Sequence, residues 1–328
     1  MTYLPFLAAM IALIVTYIAT NWLIRYLRRI NLVVKDMNKK NTPLIPISGG
    51  LAVISGIFVG LMFYIFFQTF YYKYTNTLIY LLAGFISILM ITFVGFVDDI
   101  IIRKSKDKSS GLKQWQKPLL TLSAAVPLMV VNAGVTTMVF PFIGRLDIGL
   151  IYPLIFIPIG VVGAANMVNM LAGFNGMEVG MGIVYTMMLG LYAFVNNREA
   201  AVIVSLITLA ALIAFYLYNK YPAKILPGDS LTYLLGGVIA VIAILGNIEK
   251  AAIIASIPFF IEFLLKLRSK FKANSYGYYK NGKIHSYYNS KIYSIPHLFT
   301  KTGRYTEKQI TGFMIVIEFF FCLLIWVI

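Results

Sequence analysis

One cysteine, two histidines and twelve acidic residues are all that this 328-residue chain holds of those side chains. A single cysteine excludes intrachain disulfides and thiolate metal clusters, and Cys322, inside an apolar run, reads as a small buried filler. Charge is scarce: 12% of residues are charged against 60% hydrophobic, and the mean hydropathy of +0.83 lies far above the range of soluble globular domains. Internal repeats, low-complexity tracts and a soluble domain are missing too, the longest predicted loop being 267–308. No basic region precedes the first apolar run, which is too long for a secretory h-region, so a retained helix is expected there.

What is present is hydrocarbon in bilayer lengths. A span needs roughly 20 mostly apolar residues, and ten stretches qualify: 3–24, 50–70, 77–97, 118–138, 150–165, 179–195, 199–217, 229–246, 250–266 and 309–328. The expected fold class is all-α, a polytopic integral membrane protein of about ten transmembrane helices forming one domain over residues 1–328. Loops 25–48, 98–117, 166–178, 218–228 and 267–308, with Lys266 at the edge of the last, carry 24 of the 28 Lys and Arg residues. Only Lys73, Arg145, Arg198 and Lys250 fall on the other side, so the basic loops are expected in the cytoplasm and both termini outside. The net charge of +16 is then a topology signal that needs no nucleic acid to explain it.

The acids gather on the same side. Asp36, Asp98, Asp99, Asp107, Glu178, Asp229 and Glu307 lie at or near the cytoplasmic face, where a carboxylate is costly unless hydrated, paired or bound to a metal. In "FVGFVDDIIIRK", Asp98 and Asp99 are expected to end a span, where the helix dipole disfavours both and asks for a cation nearby. In "LPGDSLTYLLGG", Pro227-Gly228 breaks the chain and leaves Asp229 at a helix N-cap. The stretch "NMVNMLAGFNGME" puts Asn166 and Asn169 three apart on one helix face, with Gly173 and Gly176 bracketing Asn175 in a loop. Asparagine offers a carbonyl to hard cations and an amide to a base or sugar, against the plainer use of hydrogen-bonding helices together.

In order and loop placement, "GFVDDI", "GLKQWQKPLL" with Lys117, "NMVNMLAGFNGMEVG" and "YPAKILPGDSLTYLLGG" resemble the cytoplasmic motifs of the polyprenyl-phosphate N-acetylhexosamine-1-phosphate transferases. The likeness runs from about residue 43 to 328. Where the bacterial cell-wall enzymes of that family usually carry D-G-x-D-G, this chain has "AGFNG", which is similar to the eukaryotic and archaeal enzymes that load GlcNAc-1-phosphate onto dolichyl phosphate.

The resemblance implies a catalytic group of Asp98, Asp99 and Lys117, and a metal pair, Asn169 and Asp229, holding Mg²⁺, with Mn²⁺ as a substitute. It also implies a nucleotide side made of Asn166, Gly173, Asn175 and Glu178. The expected reaction is attack of a lipid phosphate on the β-phosphorus of UDP-GlcNAc with release of UMP, at the cytoplasmic face of a cell membrane, as the first membrane step of N-glycan assembly. Partners expected are UDP-GlcNAc, polyprenyl or dolichyl phosphate, membrane lipids and a homodimeric second copy; nucleic acid is not among them. The family usually offers a histidine flanked by arginines in its last cytoplasmic loop, and "KLRSKFKAN" has none, so Arg268, Lys270 and Lys272 are expected to meet the diphosphate and sugar. Related transferases using another UDP-N-acetylhexosamine or undecaprenyl phosphate are the alternative. A transporter is the distant one, since only Glu262 and Glu318 fall within spans and Glu262 can pair with Lys266 one turn on.

Overall fold

The computed structural model describes residues 3–104, 111–140 and 144–327; the middle of the expected 98–117 loop, including Asp107, lies outside the described residues. The helices are α1 Leu4–Arg29, α2 Gly50–Phe70, α3 Leu78–Lys104, α4 Gln116–Leu122, α5 Val126–Val130, α6 Ile157–Met170, α7 Met177–Val195, α8 Glu199–Asn219, α9 Gly228–Gly246, α10 Glu249–Ala255, α11 Ile257–Arg268, α12 His297–Thr300 and α13 Glu307–Leu323. Among the described residues, three antiparallel strand pairs accompany the helices: β1 Val33–Lys35 with β2 Leu44–Pro46, β3 Thr137–Phe140 with β4 Gly144–Asp147, and β5 Tyr278–Lys280 with β6 Lys283–His285.

Among the described residues, eight helical runs are long and apolar enough to cross a membrane: α1, α2, α3, Tyr152–Met170 through α6, α7, α8, α9 and Glu307–Val327 through α13. Two expected spans take a different form. The 118–138 stretch is α4, a 3₁₀ turn and α5, and its helix stops at Val130, eight residues early. Pro127 lacks an N–H and its ring crowds the Ser123 carbonyl, which tightens the turn between the two pieces. The 250–266 stretch is likewise divided into α10 and α11, with Pro258 just after the break.

Helix α9 forms the centre. Nearly every residue from Ser230 to Gly246 is buried, because a helix apolar on all faces must be surrounded, and α2, α3, α6, α7 and α8 surround it. The approach of α3 is set by Gly95, where an added Cβ would lie 2.2 Å from the backbone oxygen of Asp229. Small residues at such crossings let backbones touch in the absence of a hydrophobic driving force between helices. That contact brings the paired aspartates of α3 beside the first turn of α9.

Candidate active site

Helix α3 does not end at its aspartates. It continues to Lys104, so Asp98 and Asp99 sit more than a turn inside the helix and are fully buried, correcting the expectation of a C-terminal pair. Their two carboxylates point at different partners, as adjacent positions about 100° apart on a helix must. Asp99 caps another helix. Its Oδ1 accepts the backbone N–H of Asp229 at 2.8 Å, and its Oδ2 accepts the N–H of Ser230 at 3.2 Å and the Ser48 hydroxyl at 2.8 Å.

That arrangement also corrects the reading of Asp229 as an N-cap. The N-cap is Pro227, Asp229 is the second helical residue, and its side chain caps nothing. Gly228 has φ +69°, and a Cβ there would fall 2.5 Å from Asp99 Oδ2, so glycine is the residue that lets the chain turn into α9 over this carboxylate. Released from capping, the Asp229 side chain reaches Lys117 at the start of α4, with Nζ 3.2 Å from Oδ2.

Lys117 joins two acids. Its Nζ is also 2.5 Å from Asp98 Oδ2, while Asp98 Oδ1 accepts the N–H of Leu112 at 2.6 Å. Burial alone would lower the lysine pKa, yet the neighbouring Asp229 and Asp98 carboxylates outweigh it and hold the ammonium charged well above its ordinary value. Lys117 and Asp229 keep 23% and 21% of their side-chain surface exposed and Asp98 none. The outer two can therefore meet a substrate, and Asp98 acts from behind by fixing the lysine.

The asparagines of α6 face this cluster. Asn169 Oδ1 accepts the Thr232 hydroxyl at 2.6 Å, and Thr232 lies one turn after Asp229 on α9. Asn166 donates to Thr121 Oγ1 at 3.1 Å and to the Val162 carbonyl at 2.8 Å, tying α6 to α4. Helix α6 reaches Met170, so the connection to α7 is only residues 171–176 of the expected 166–178 loop. Glu178, in the first turn of α7, accepts the Gly173 N–H at 2.5 Å, and the Gly173 carbonyl accepts the Asn38 amide at 2.6 Å.

Asn175 is buried and belongs to a second polar cluster. Its amide donates to Asp36 Oδ2 at 2.8 Å, its Oδ1 accepts from Lys39 at 3.3 Å, and its backbone N–H donates to Glu307 at 2.8 Å. Arg268, the last residue of α11, and Lys270 and Lys272 on the turn after it are exposed. One tie brings that turn toward the site, from the Gln114 amide to the Phe271 carbonyl at 3.2 Å. The later histidine, His297, is structural. Its Nδ1 accepts the Tyr293 N–H, which leaves Nε2 to donate to the Asn274 carbonyl at 3.0 Å.

Two contributors carry no signal in the sequence. Ser48 and Thr232 are ordinary hydroxyls until α2 and α9 meet the site, whereas Glu307, already among the acids expected at the cytoplasmic face, lies in the first turn of α13 beside the capping box of Thr306 and Gln309. Lys39 could have been suspected from its i, i+3 spacing to Asp36.

The donor set suits a hard cation. Two carboxylates, from Asp98 and Asp229, face one ammonium, which leaves a formal excess of one negative charge at a partly exposed site. The Asp229 carboxylate and the Asn169 carbonyl are the oxygen ligands that Mg²⁺ prefers.

Residues 81–247 match the model of glycosyl transferase family 4, a stretch that contains Asp98, Lys117, Asn169 and Asp229. A protein of Saccharolobus solfataricus, named as a UDP-N-acetylglucosamine dolichyl-phosphate N-acetylglucosaminephosphotransferase, is 34% identical over 93% of this chain and 90% of its own. A Dictyostelium discoideum protein named for the same activity is 27% identical over 88% of this chain and 79% of its own. A phospho-N-acetylmuramoyl-pentapeptide-transferase of Staphylococcus epidermidis is 31% identical over 79% of this chain and 82% of its own.

Proposed function

The chain belongs to glycosyl transferase family 4, and from that premise we propose that it transfers GlcNAc-1-phosphate from UDP-GlcNAc to a polyprenyl, dolichyl-type phosphate, releasing UMP. The names of the archaeal and Dictyostelium relatives support that donor and acceptor, and the cell-wall type relative covers less of the chain. The protein is a multi-pass membrane protein, and the basic loops favour a site at the cytoplasmic face of a cell membrane.

The observation that carries the reading is the single ammonium of Lys117 held between Asp98 and Asp229 at a helix end. Reaction joins a lipid phosphate oxygen to the β-phosphorus and breaks the bond from that phosphorus to the oxygen bridging it to the α-phosphorus, so UMP departs. A phosphate dianion is already a nucleophile, and the protein's work is alignment and charge neutralisation. Lys117, fixed by Asp98, meets a phosphate oxygen through its exposed edge. Asp99 sets the first turn of α9 and with it the direction of the Asp229 carboxylate. Asp229 and Asn169 would hold Mg²⁺, or Mn²⁺ in its place, which supplies charge neutralisation on the diphosphate. Asn166, Gly173, Asn175 and Glu178 make the nucleotide side, and Arg268, Lys270 and Lys272 approach the diphosphate and sugar from the last loop.

The test is an assay of purified protein with radiolabelled UDP-GlcNAc, UDP-GalNAc and UDP-MurNAc-pentapeptide, each with dolichyl and undecaprenyl phosphate. Labelled lipid from UDP-GlcNAc with dolichyl phosphate is expected. Product only from UDP-MurNAc-pentapeptide with undecaprenyl phosphate would move the protein to the cell-wall type.

A further inference from the structure

Glu262 and Lys266, one turn apart on α11, have no part in the reaction as derived above, yet both are buried and they pair with Nζ 3.5 Å from Oε1. Burying two charges is costly, and their attraction offsets the cost only where the remaining donors and acceptors also find partners. Here those partners lie in the chain beyond α11. Lys266 donates to the Ala273 carbonyl at 2.6 Å and to the Ser275 hydroxyl at 2.8 Å, and Glu262 Oε2 accepts the N–H of Ile295 at 2.8 Å. The ion pair therefore holds the last loop at its beginning and near its end.

The held segment runs along the candidate site. The buried Ser275 hydroxyl reaches the carbonyl of Met170 at 3.2 Å, and Met170 ends α6 next to Asn169. That carbonyl is among those a helix end leaves without an intrahelical partner. The Tyr276 side chain lies against Gly173, where an added Cβ would come within 3.2 Å of it, and the Gly277 N–H donates to Asn38 at 3.2 Å. At the other end Gln114, three residues before Lys117, donates to the Phe271 carbonyl. Arg268, Lys270 and Lys272 stand at the head of this segment.

The geometry points to Glu262 and Lys266 as positioning residues for the UDP-sugar: by holding Ala273 and Ser275 they fix the turn of Arg268, Lys270 and Lys272 against the end of α6. This rests on the reading of that turn as the diphosphate and sugar side of the site. The two members do different work. Lys266 supplies the donors that hold the turn, and Glu262 balances the lysine charge and holds Ile295. Replacing both by Met and Gln leaves a neutral pair that keeps an oxygen for Ile295 and has lost the grip on the turn.

The experiment compares full-length wild type, Lys266→Met and the double variant Glu262→Gln/Lys266→Met, purified in detergent and assayed below their melting temperatures. Lys266→Met should melt lower, because it strands a buried carboxylate, and the double variant should regain the melting temperature. Both should raise KM for UDP-GlcNAc by roughly tenfold or more while kcat and KM for the lipid phosphate stay within about threefold, the pattern of lost uniform binding. Without substrate, trypsin should cut the turn at Arg268, Lys270 and Lys272 faster in both variants than in wild type. A double variant that regains KM together with its melting temperature makes the pair a support of the fold alone and overturns the proposal. So does a wild-type KM or an unchanged cleavage rate in either variant, or a KM for lipid phosphate that rises in step with that for UDP-GlcNAc. A wild type that turns over no UDP-N-acetylhexosamine sinks the underlying reading, and the proposal with it; an active wild type whose variants keep its KM sinks the proposal alone.

Discussion

The Asp99 carboxylate accepts the backbone N–H of Asp229, and through that 2.8 Å bond a residue of α3 sets the start of α9. A charged acceptor at a helix N-terminus satisfies orphan donors and meets the positive end of the dipole. Asp99→Ala should lower stability by about 1–3 kcal/mol, the range for stranding buried donors, because two backbone N–H groups and the Ser48 hydroxyl lose their acceptor. Turnover should fall more than stability accounts for, since Asp229 is displaced. Thermal melts with kcat measured well below the transition would show it, and a normal kcat with a lowered melting temperature would make Asp99 a capping residue only.

Lys117 separates support from chemistry. Lys117→Met should cut kcat by roughly 10²–10³, the scale for losing one preorganised electrostatic partner of a developing charge. It should also destabilise the fold by leaving Asp98 buried without its ion. Adding Asp98→Asn should restore the melting temperature and not the rate. Recovery of both would show that the lysine is structural.

Metal removal gives a third outcome. EDTA should abolish turnover of wild type and its stabilisation by UDP-GlcNAc, and Mg²⁺ should restore both. Asn169→Ala and Asp229→Asn should each lose most activity, with the double variant little worse than either because residues acting as a unit are not additive. If Asn169 serves only as a bond to Thr232, its variant will keep activity and lose roughly 0.5–2 kcal/mol of stability.

Orientation is tested without activity. Cysteine in place of Lys73 should react with a membrane-impermeant maleimide in intact cells, and cysteine in place of Lys280 should not, the native Cys322 being buried. Labelling at 280 would put the basic loops, and the site, on the wrong side for a cytoplasmic nucleotide.

His297 makes stability depend on pH. Burial, and then the Lys266 charge, push its pKa down to about 4 in the folded protein, from 6.5. The unfolded chain therefore takes up the proton first. Stability is complete above about pH 6.5 and is lost as pH falls toward 4, by about 3 kcal/mol at most from this residue. Melting temperatures of wild type and His297→Gln across that window should converge at the acid end, and parallel curves would assign the acid sensitivity elsewhere.

What the sequence determined by itself is the membrane class, most spans and the identity of the polar cluster. Apolar runs of bilayer length have few alternatives in lipid, where each backbone group must be bonded within a helix. Asp98, Asp99, Lys117, Asn169 and Asp229 stood out because a polar side chain in such a chain has no inexpensive role. What only the tertiary structure decided is which of these groups touches which. Capping passed from Asp229 to Asp99 because Gly95 and Gly228 allow α3 and α9 to meet at backbone distance, a contact between positions 130 residues apart that no local pattern encodes. The meeting of Asp36, Lys39 and Glu307 at Asn175 was invisible for the same reason, since the partners come from three segments whose neighbourhood exists only once the helices have packed.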